Sequence, residues 1–221
     1  MSEMKDYIRE AEDDDLSQDT AAKLMVALCV DTSFSMIQEG RIEAVNHGIS
    51  NFLKSAYEDV YVKDSLEVCI VTFGGESAKL IQPFKKIKTP EFKPLFPSGG
   101  THLADGVRLA VRQIEKRRND YEDVGVICYR PWLIIMSDGR SDDNVTEAAQ
   151  LVRSMVAAKR LKLKCIGIGS GSDESDLRKF TGEKIEKCGN IEIIDFFNIL
   201  SRSAAGLSIM APEEDSQVNI Y

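Results

Sequence analysis

The chain has 221 residues, 43% hydrophobic and 29% charged, with a formal net charge of −8. That length suits one α/β domain with a core large enough to fold alone. The acidic balance argues against binding phosphate backbones or anionic lipid through net charge, so neither nucleic acid nor membrane is an expected partner.

The charge is uneven. Residues 1–19 hold eight acidic and two basic side chains, and Glu213, Glu214 and Asp215 add three negative charges near the other end, so the stretch between is close to neutral. Composition thus predicts a flexible acidic segment over 1–21, a folded domain over 22–208 and an acidic tail over 209–221.

The folded stretch alternates short apolar runs with helix-period segments, the pattern of a parallel sheet covered on both faces. A first strand over Lys23–Val30 delivers Asp31-Thr32-Ser33-Phe34-Ser35. A helix over Arg41–Ala56 then sets Ile42, Val45, Ile49, Phe52 and Leu53 on one face. A second strand, Leu66–Phe73, closes on Gly74-Gly75. Ala78–Gln82 follows so closely that only an antiparallel return fits, which makes it an edge strand.

Pro90, Pro94 and Pro97 lead irregularly to Gly99-Gly100-Thr101, and a helix over His102–Arg118 aligns Leu103, Val107, Ala110, Val111 and Ile114. The fourth strand, Trp132–Ser137, ends at Asp138-Gly139. A helix near Val145–Lys159, a fifth strand over Lys162–Ile168, a glycine turn and a short helix near Glu174–Phe180 follow. A sixth strand over Ile191–Ile194 and a last helix from Asp195 complete the pattern. The expected architecture is a doubly wound, Rossmann-like α/β fold: a mostly parallel six-stranded sheet with one antiparallel edge strand. Ligands of such sheets bind beyond the carboxyl ends of the strands, where strand order reverses. If the first and fourth strands flank that point, Asp31 and Asp138 face each other.

The five cysteines have no paired spacing, and Cys29, Cys69 and Cys165 fall inside apolar runs, where a thiol acts as a small hydrophobe. No C-x-x-C occurs, so no zinc ribbon is expected. The start, Met1-Ser-Glu-Met-Lys-Asp, lacks the apolar centre of a secretion signal, and no run approaches membrane-spanning length. Cytoplasmic residence is the expectation.

Oxygen side chains gather at three predicted strand ends: Asp31, Ser33 and Ser35, then Thr101, then Asp138. Such groups alone are common caps and turn formers. Together on one sheet they are what a hard divalent cation prefers. The motif resembles the metal-ion-dependent adhesion site of von Willebrand factor type A domains: Asp-x-Ser-x-Ser, a lone Thr, then Asp. The resemblance covers most of residues 22–208. Within that superfamily the chain is similar to the bacterial tellurite-resistance, TerY-type branch. The segments that carry this are Asp31-Thr32-Ser33-x-Ser35-Met36, Gly99-Gly100-Thr101 and Arg130-Pro131-Trp132…Ser137-Asp138-Gly139.

The resemblance implies that Ser33, Ser35 and Thr101 touch a magnesium ion directly while Asp31 and Asp138 act largely through water. Manganese or calcium are the other candidates, although so few protein ligands suit calcium less well. Neutral hydroxyls leave most of the cation's charge uncompensated, which favours an incoming Asp or Glu from a protein partner. The TerY-type likeness implies service in a bacterial stress-response or defence system, beside a kinase or phosphatase. Phe34 stands where that pattern has Gly, and Arg140 where the branch often has an acidic residue. Both alter the rim, which with His102 is the expected partner-contact surface.

An enzyme would need a nucleophile or base beside the metal. Haloacid-dehalogenase-type phosphatases also place an Asp after the first strand, but require a second one where Ser33 stands. Asp142 and Asp143 imitate their late acidic pair, and His102 is the one candidate base, because His47 falls on the first helix. The expected function is non-enzymatic binding; the alternative is a magnesium- or manganese-dependent phosphohydrolase. Lys116-Arg117-Arg118 and the basic stretch over 159–164 lack interleaved aromatics, and Gly167-x-Gly169-x-Gly171 lacks the Lys-Ser/Thr of a phosphate loop.

Overall fold

The computed structural model describes residues 21–208, so the expected acidic segments over 1–21 and 209–221 lie, apart from Ala21, outside the described residues. Strands β1 (Leu24–Val30), β2 (Leu66–Thr72), β3 (Lys79–Gln82), β4 (Trp132–Ser137), β5 (Lys162–Ile168) and β6 (Glu186–Cys188) form one sheet. Their order is β3-β2-β1-β4-β5-β6. Every pairing is parallel except β2 with β3, the expected antiparallel edge.

Every residue of β1, β2 and β4 is buried, because helices cover both faces. Leu24, Val26, Leu28 and Val30 face helices α1 (Arg41–Glu58), α2 (Val60–Ser65) and α6 (Asn190–Ser208). Met25, Ala27 and Cys29 face α3 (Leu103–Asp123), α4 (Thr146–Ala157) and α5 (Leu177–Thr181). The thiols of Cys29, Cys69 and Cys165 are free and buried in this second layer, as apolar packing requires. Burial pushes the Cys69 thiol up to about 12.

α1 and α6 pack closely because Gly48 has no side chain. A Cβ there would lie 2.2 Å from the Phe197 ring. Among the described residues no helix is long and apolar enough to cross a membrane.

The last described elements differ from the sequence reading. The sixth strand is Glu186–Cys188, and Ile191–Ile194 is the first turn of α6 instead. The β-branched run suggested a strand, but Ile193, Phe196, Phe197, Leu200, Ala204 and Leu207 recur at helical spacing and are buried together. Ile191, off that face, is 74% exposed. Helix α2 and a 3₁₀ segment over Phe34–Gly40 are further elements that sequence reasoning did not find.

Candidate metal centre

β1 lies between β2 and β4, so the strand order reverses beside it. This is the position where a doubly wound sheet opens a crevice for ligands. The Asp31 amide donates to the Met136 carbonyl (2.9 Å), carrying the β1–β4 ladder one residue past Val30. The Asp31 side chain is therefore fixed between the two strand ends and fully buried. Its Oδ1 accepts the Ser33 amide (2.7 Å), and its Oδ2 accepts the Ser137 hydroxyl (2.6 Å). Burial nevertheless raises the carboxyl to about 6, because these hydrogen bonds only partly replace lost water.

From Asp31 the donors run in a chain. Ser33 Oγ lies 2.9 Å from Ser35 Oγ, and Ser35 Oγ donates to Asp138 Oδ1 (2.7 Å). Four of the five expected ligand residues are thus joined into one cluster. The separations can be compared with coordination geometry. Oxygens 2.0–2.1 Å from an octahedral ion stand roughly 2.9 Å apart along each edge, and calcium distances would spread them further. The observed 2.9 and 2.7 Å separations are those of O–H···O hydrogen bonds between these groups. Among the described residues no group of three or more His, Cys, Asp and Glu side chains is assembled; the cluster's own donors are hydroxyl and carboxylate oxygens, which are hard ligands.

Thr101 reaches the same strand ends through the backbone. Gly74-Gly75 pairs antiparallel with Gly100-Thr101, and Gly74 has no Cβ because one would lie 2.3 Å from Thr32 Oγ1. The Ser98 amide donates to the Thr32 carbonyl and the Phe34 amide to Gly99 (3.2 Å), which fastens the Thr101 loop to the Asp31 loop. Thr101 itself is buried, and its amide donates to Asp142 Oδ2 (2.6 Å). Its hydroxyl is not hydrogen-bonded to the other four residues.

Asp142 and Asp143 have structural work. Asp143 accepts the Ala104 and Asp105 amides (3.0 Å each), and the Ser141 hydroxyl accepts the Leu103 amide (3.2 Å). The loop after β4 therefore caps the open amides at the start of α3, an arrangement hidden in the sequence by about forty intervening residues.

The rim residues separate. Phe34 is 62% exposed. Arg140 is exposed too, but its guanidinium donates to Asp173 Oδ2 (2.6 Å). Hydrogen bonds from Ser175, reinforced by Arg140, hold the Asp173 carboxyl down at about 2. His102 is half-buried before α3, and its Nδ1 is enclosed without a hydrogen-bond partner. No hydrogen bond links it to the oxygen cluster.

Arg41 was not expected here. Its Nη1 donates to Asp138 Oδ2 (2.7 Å) and its Nη2 to Glu39 Oε2 (3.1 Å). One signal was present in the sequence: an arginine opening a helix opposes the positive end of the helix dipole, so it needs an anion from elsewhere. Glu39 (φ 56°) and Gly40 (φ 69°) are both left-handed and turn the chain back into α1. Gly169 (φ 85°) leaves room for the guanidinium, since a Cβ there would lie 2.8 Å from Arg41 Nε.

The family profile of the von Willebrand factor type A domain matches residues 26–200. No curated protein sequence matches the chain. Among solved structures, the vWF domain of the type V pili tip protein Mfa5 from Porphyromonas gingivalis aligns with a TM-score of 0.63 at 11% identity. That alignment covers 86% of this chain and 97% of the other. The SpRpn10 VWA domain aligns with a TM-score of 0.57 at 15% identity, covering 81% and 95%. Proximal thread matrix protein 1 from the mussel byssus aligns at 0.56 and 20% identity, covering 84% of this chain but 48% of the mussel protein. A further structure of that mussel protein, at 16% identity and a TM-score of 0.56, carries a zinc-occupied MIDAS motif. The chain thus spans about half of the mussel protein, and at these identities the likeness is one of fold.

Proposed function

The chain belongs to the von Willebrand factor type A domain family, and from that premise we propose that it captures a protein partner through a magnesium-type cation. Asp31, Ser33, Ser35, Thr101 and Asp138 would hold the ion. The observation that carries this reading is the run of oxygens from Ser33 through Ser35 to Asp138, at separations of 2.9 and 2.7 Å, at the β1/β4 switch point. Two carboxylates and three hydroxyls leave a divalent ion with an accessible position, and a partner's Asp or Glu supplies the oxygen it lacks. Manganese is the alternative ion, and so few protein ligands suit calcium less well.

Exposed apolar side chains nearby in the fold support a narrower reading of the partner's chemistry. Phe34 and Ile37 on the 3₁₀ segment, Phe96 on the loop bonded to it, and Ile191 at the start of α6 are 62%, 59%, 76% and 74% exposed. Asn190 ties the α6 start to this side by donating to the Glu39 carbonyl (2.6 Å). An acidic residue flanked by large apolar side chains is the complement of that surface. Of the other expected rim residues, Arg140 is already engaged by Asp173, and the enclosed Nδ1 of His102 has no hydrogen-bond partner.

The five free thiols suit a reducing compartment, which supports cytoplasmic residence. A role in a bacterial stress-response or defence system, beside a kinase or phosphatase, rests on the TerY-type motif likeness. The phosphohydrolase reading gains nothing from the geometry, since Asp142 and Asp143 are occupied with backbone amides.

Immobilised peptides test the proposal. A peptide with Glu between apolar residues should retain the protein in magnesium and release it in chelator, while its Gln counterpart retains little. Equal retention by both peptides, or retention indifferent to chelator, would remove the cation from the interaction.

A further inference from the structure

We propose that Arg41 is a resident counter-cation: it holds Asp138 in the metal-free protein, weakens cation binding, and makes that binding depend on an incoming carboxylate. The inference rests on the metal-binding reading of the Asp31–Asp138 cluster and concerns what sets its affinity.

Asp138 is divided between two claims. Its Oδ1 accepts Ser35 and faces the hydroxyl cluster, while its Oδ2 accepts Arg41 Nη1 at 2.7 Å. The two side chains are 9% and 1% exposed, so water and salt screen this pair little. The guanidinium is also built into its place. Gly169 provides the space, Glu39 accepts Nη2, and the left-handed pair Glu39-Gly40 directs the chain there. The helix offers no reason for a cation at this point, because the dipole opposes one at an N-terminus. Asp138 is the reason.

The charge count follows. Asp31, Asp138 and Arg41 together carry one negative charge, so a divalent ion leaves the loaded site with one positive charge. Without Arg41 the loaded site would be neutral. Glu39, at 63% exposure, is largely balanced by solvent. Repulsion between the ion and a guanidinium sharing one buried carboxylate lowers the ion's affinity. An anionic ligand relieves that excess charge, and a neutral amide does not. Arg41 therefore biases the open position toward carboxylates and keeps the cation loosely held until one arrives.

The test compares wild type and Arg41→Gln by calorimetric titration with Mn²⁺ in chloride, acetate and acetamide, alongside metal-free melting temperatures. In chloride the variant should bind Mn²⁺ about tenfold tighter than wild type. Acetate should strengthen Mn²⁺ binding in wild type far more than in the variant, and acetamide in neither. The variant should also melt lower without metal and gain more from Mn²⁺. A folded variant with equal or weaker Mn²⁺ affinity overturns the proposal. If the variant is unfolded without metal, recovery of the fold by millimolar Mn²⁺ supports it, and failure to recover overturns it. A wild type that binds no Mn²⁺ removes the metal reading itself; a wild type that binds beside an unchanged variant removes only the role of Arg41.

Discussion

Asp31→Asn should stabilise the metal-free protein at neutral pH while abolishing its response to magnesium. Asp31 is fully buried, and burial raises its carboxyl from the ordinary 3.8 to about 6. Below pH 4 the group is protonated in both folded and unfolded chains and costs nothing. Between those values the folded state holds a proton that the unfolded chain has released, so stability falls as pH rises through that window. By pH 7 the cost amounts to about 3 kcal/mol, at 1.36 kcal/mol for each pH unit. An amide keeps the shape. Its oxygen can accept the Ser33 amide, and its nitrogen can donate to Ser137 Oγ, whose own proton can turn to the Gly139 carbonyl at 3.3 Å. Loss of charge-assisted bonds returns roughly 1–2 kcal/mol of the gain. The net should be about 1–2 kcal/mol, a rise of about 2–8 °C in Tm for a domain of this size. Thermal scans at pH 4.5 and pH 7, with and without magnesium, measure it. The gain should appear at pH 7, shrink at pH 4.5, and be joined by loss of the magnesium-induced shift. A variant that melts lower than wild type in metal-free buffer at pH 7 would refute the account of Asp31 as a charge awaiting a cation.

Other substitutions follow from the same geometry. Thr101→Ala should lose magnesium and manganese affinity in calorimetry with little change in Tm. Asp138→Ala should lose metal and also fall by about 3–5 kcal/mol in denaturant unfolding, because it leaves the buried Arg41 guanidinium without its carboxylate. Phe34→Gly should weaken partner binding in a retention assay yet shift stability by no more than about 0.5 kcal/mol, given the exposure of Phe34. Gly48→Ala should cost about 1–3 kcal/mol in chemical denaturation, because its Cβ meets the Phe197 ring and forces α1 from α6.

The sequence made the sheet legible where burial is two-sided. Trp132–Ser137 coincides with β4, where a fully buried apolar run between polar segments leaves little choice of bounds; Lys162–Ile168 coincides with β5 although its first three residues are only half-buried. The closeness of Asp31 to Asp138 followed from the switch-point rule once β1 and β4 were taken as neighbours. Ile191–Ile194 misled because β-branched residues suggest strands over four residues, whereas the period that makes them helical emerges only with Phe196, Phe197 and Leu200. Long-range polar pairs were beyond reach. Arg41 and Asp138 are 97 residues apart, and nothing local to Asp143 indicates that it caps a helix starting 40 residues earlier. Thr101 was singled out by its motif, but its attachment through Gly74 and Asp142 depends on contacts that only the folded chain creates.

Calorimetric titration of Mg²⁺ and Mn²⁺ into wild type, Asp31→Ala, Thr101→Ala and Asp138→Ala tests the central claim most directly. The account predicts one site in wild type and none in any of the three variants. No binding by wild type, or unchanged affinity across the variants, would contradict it.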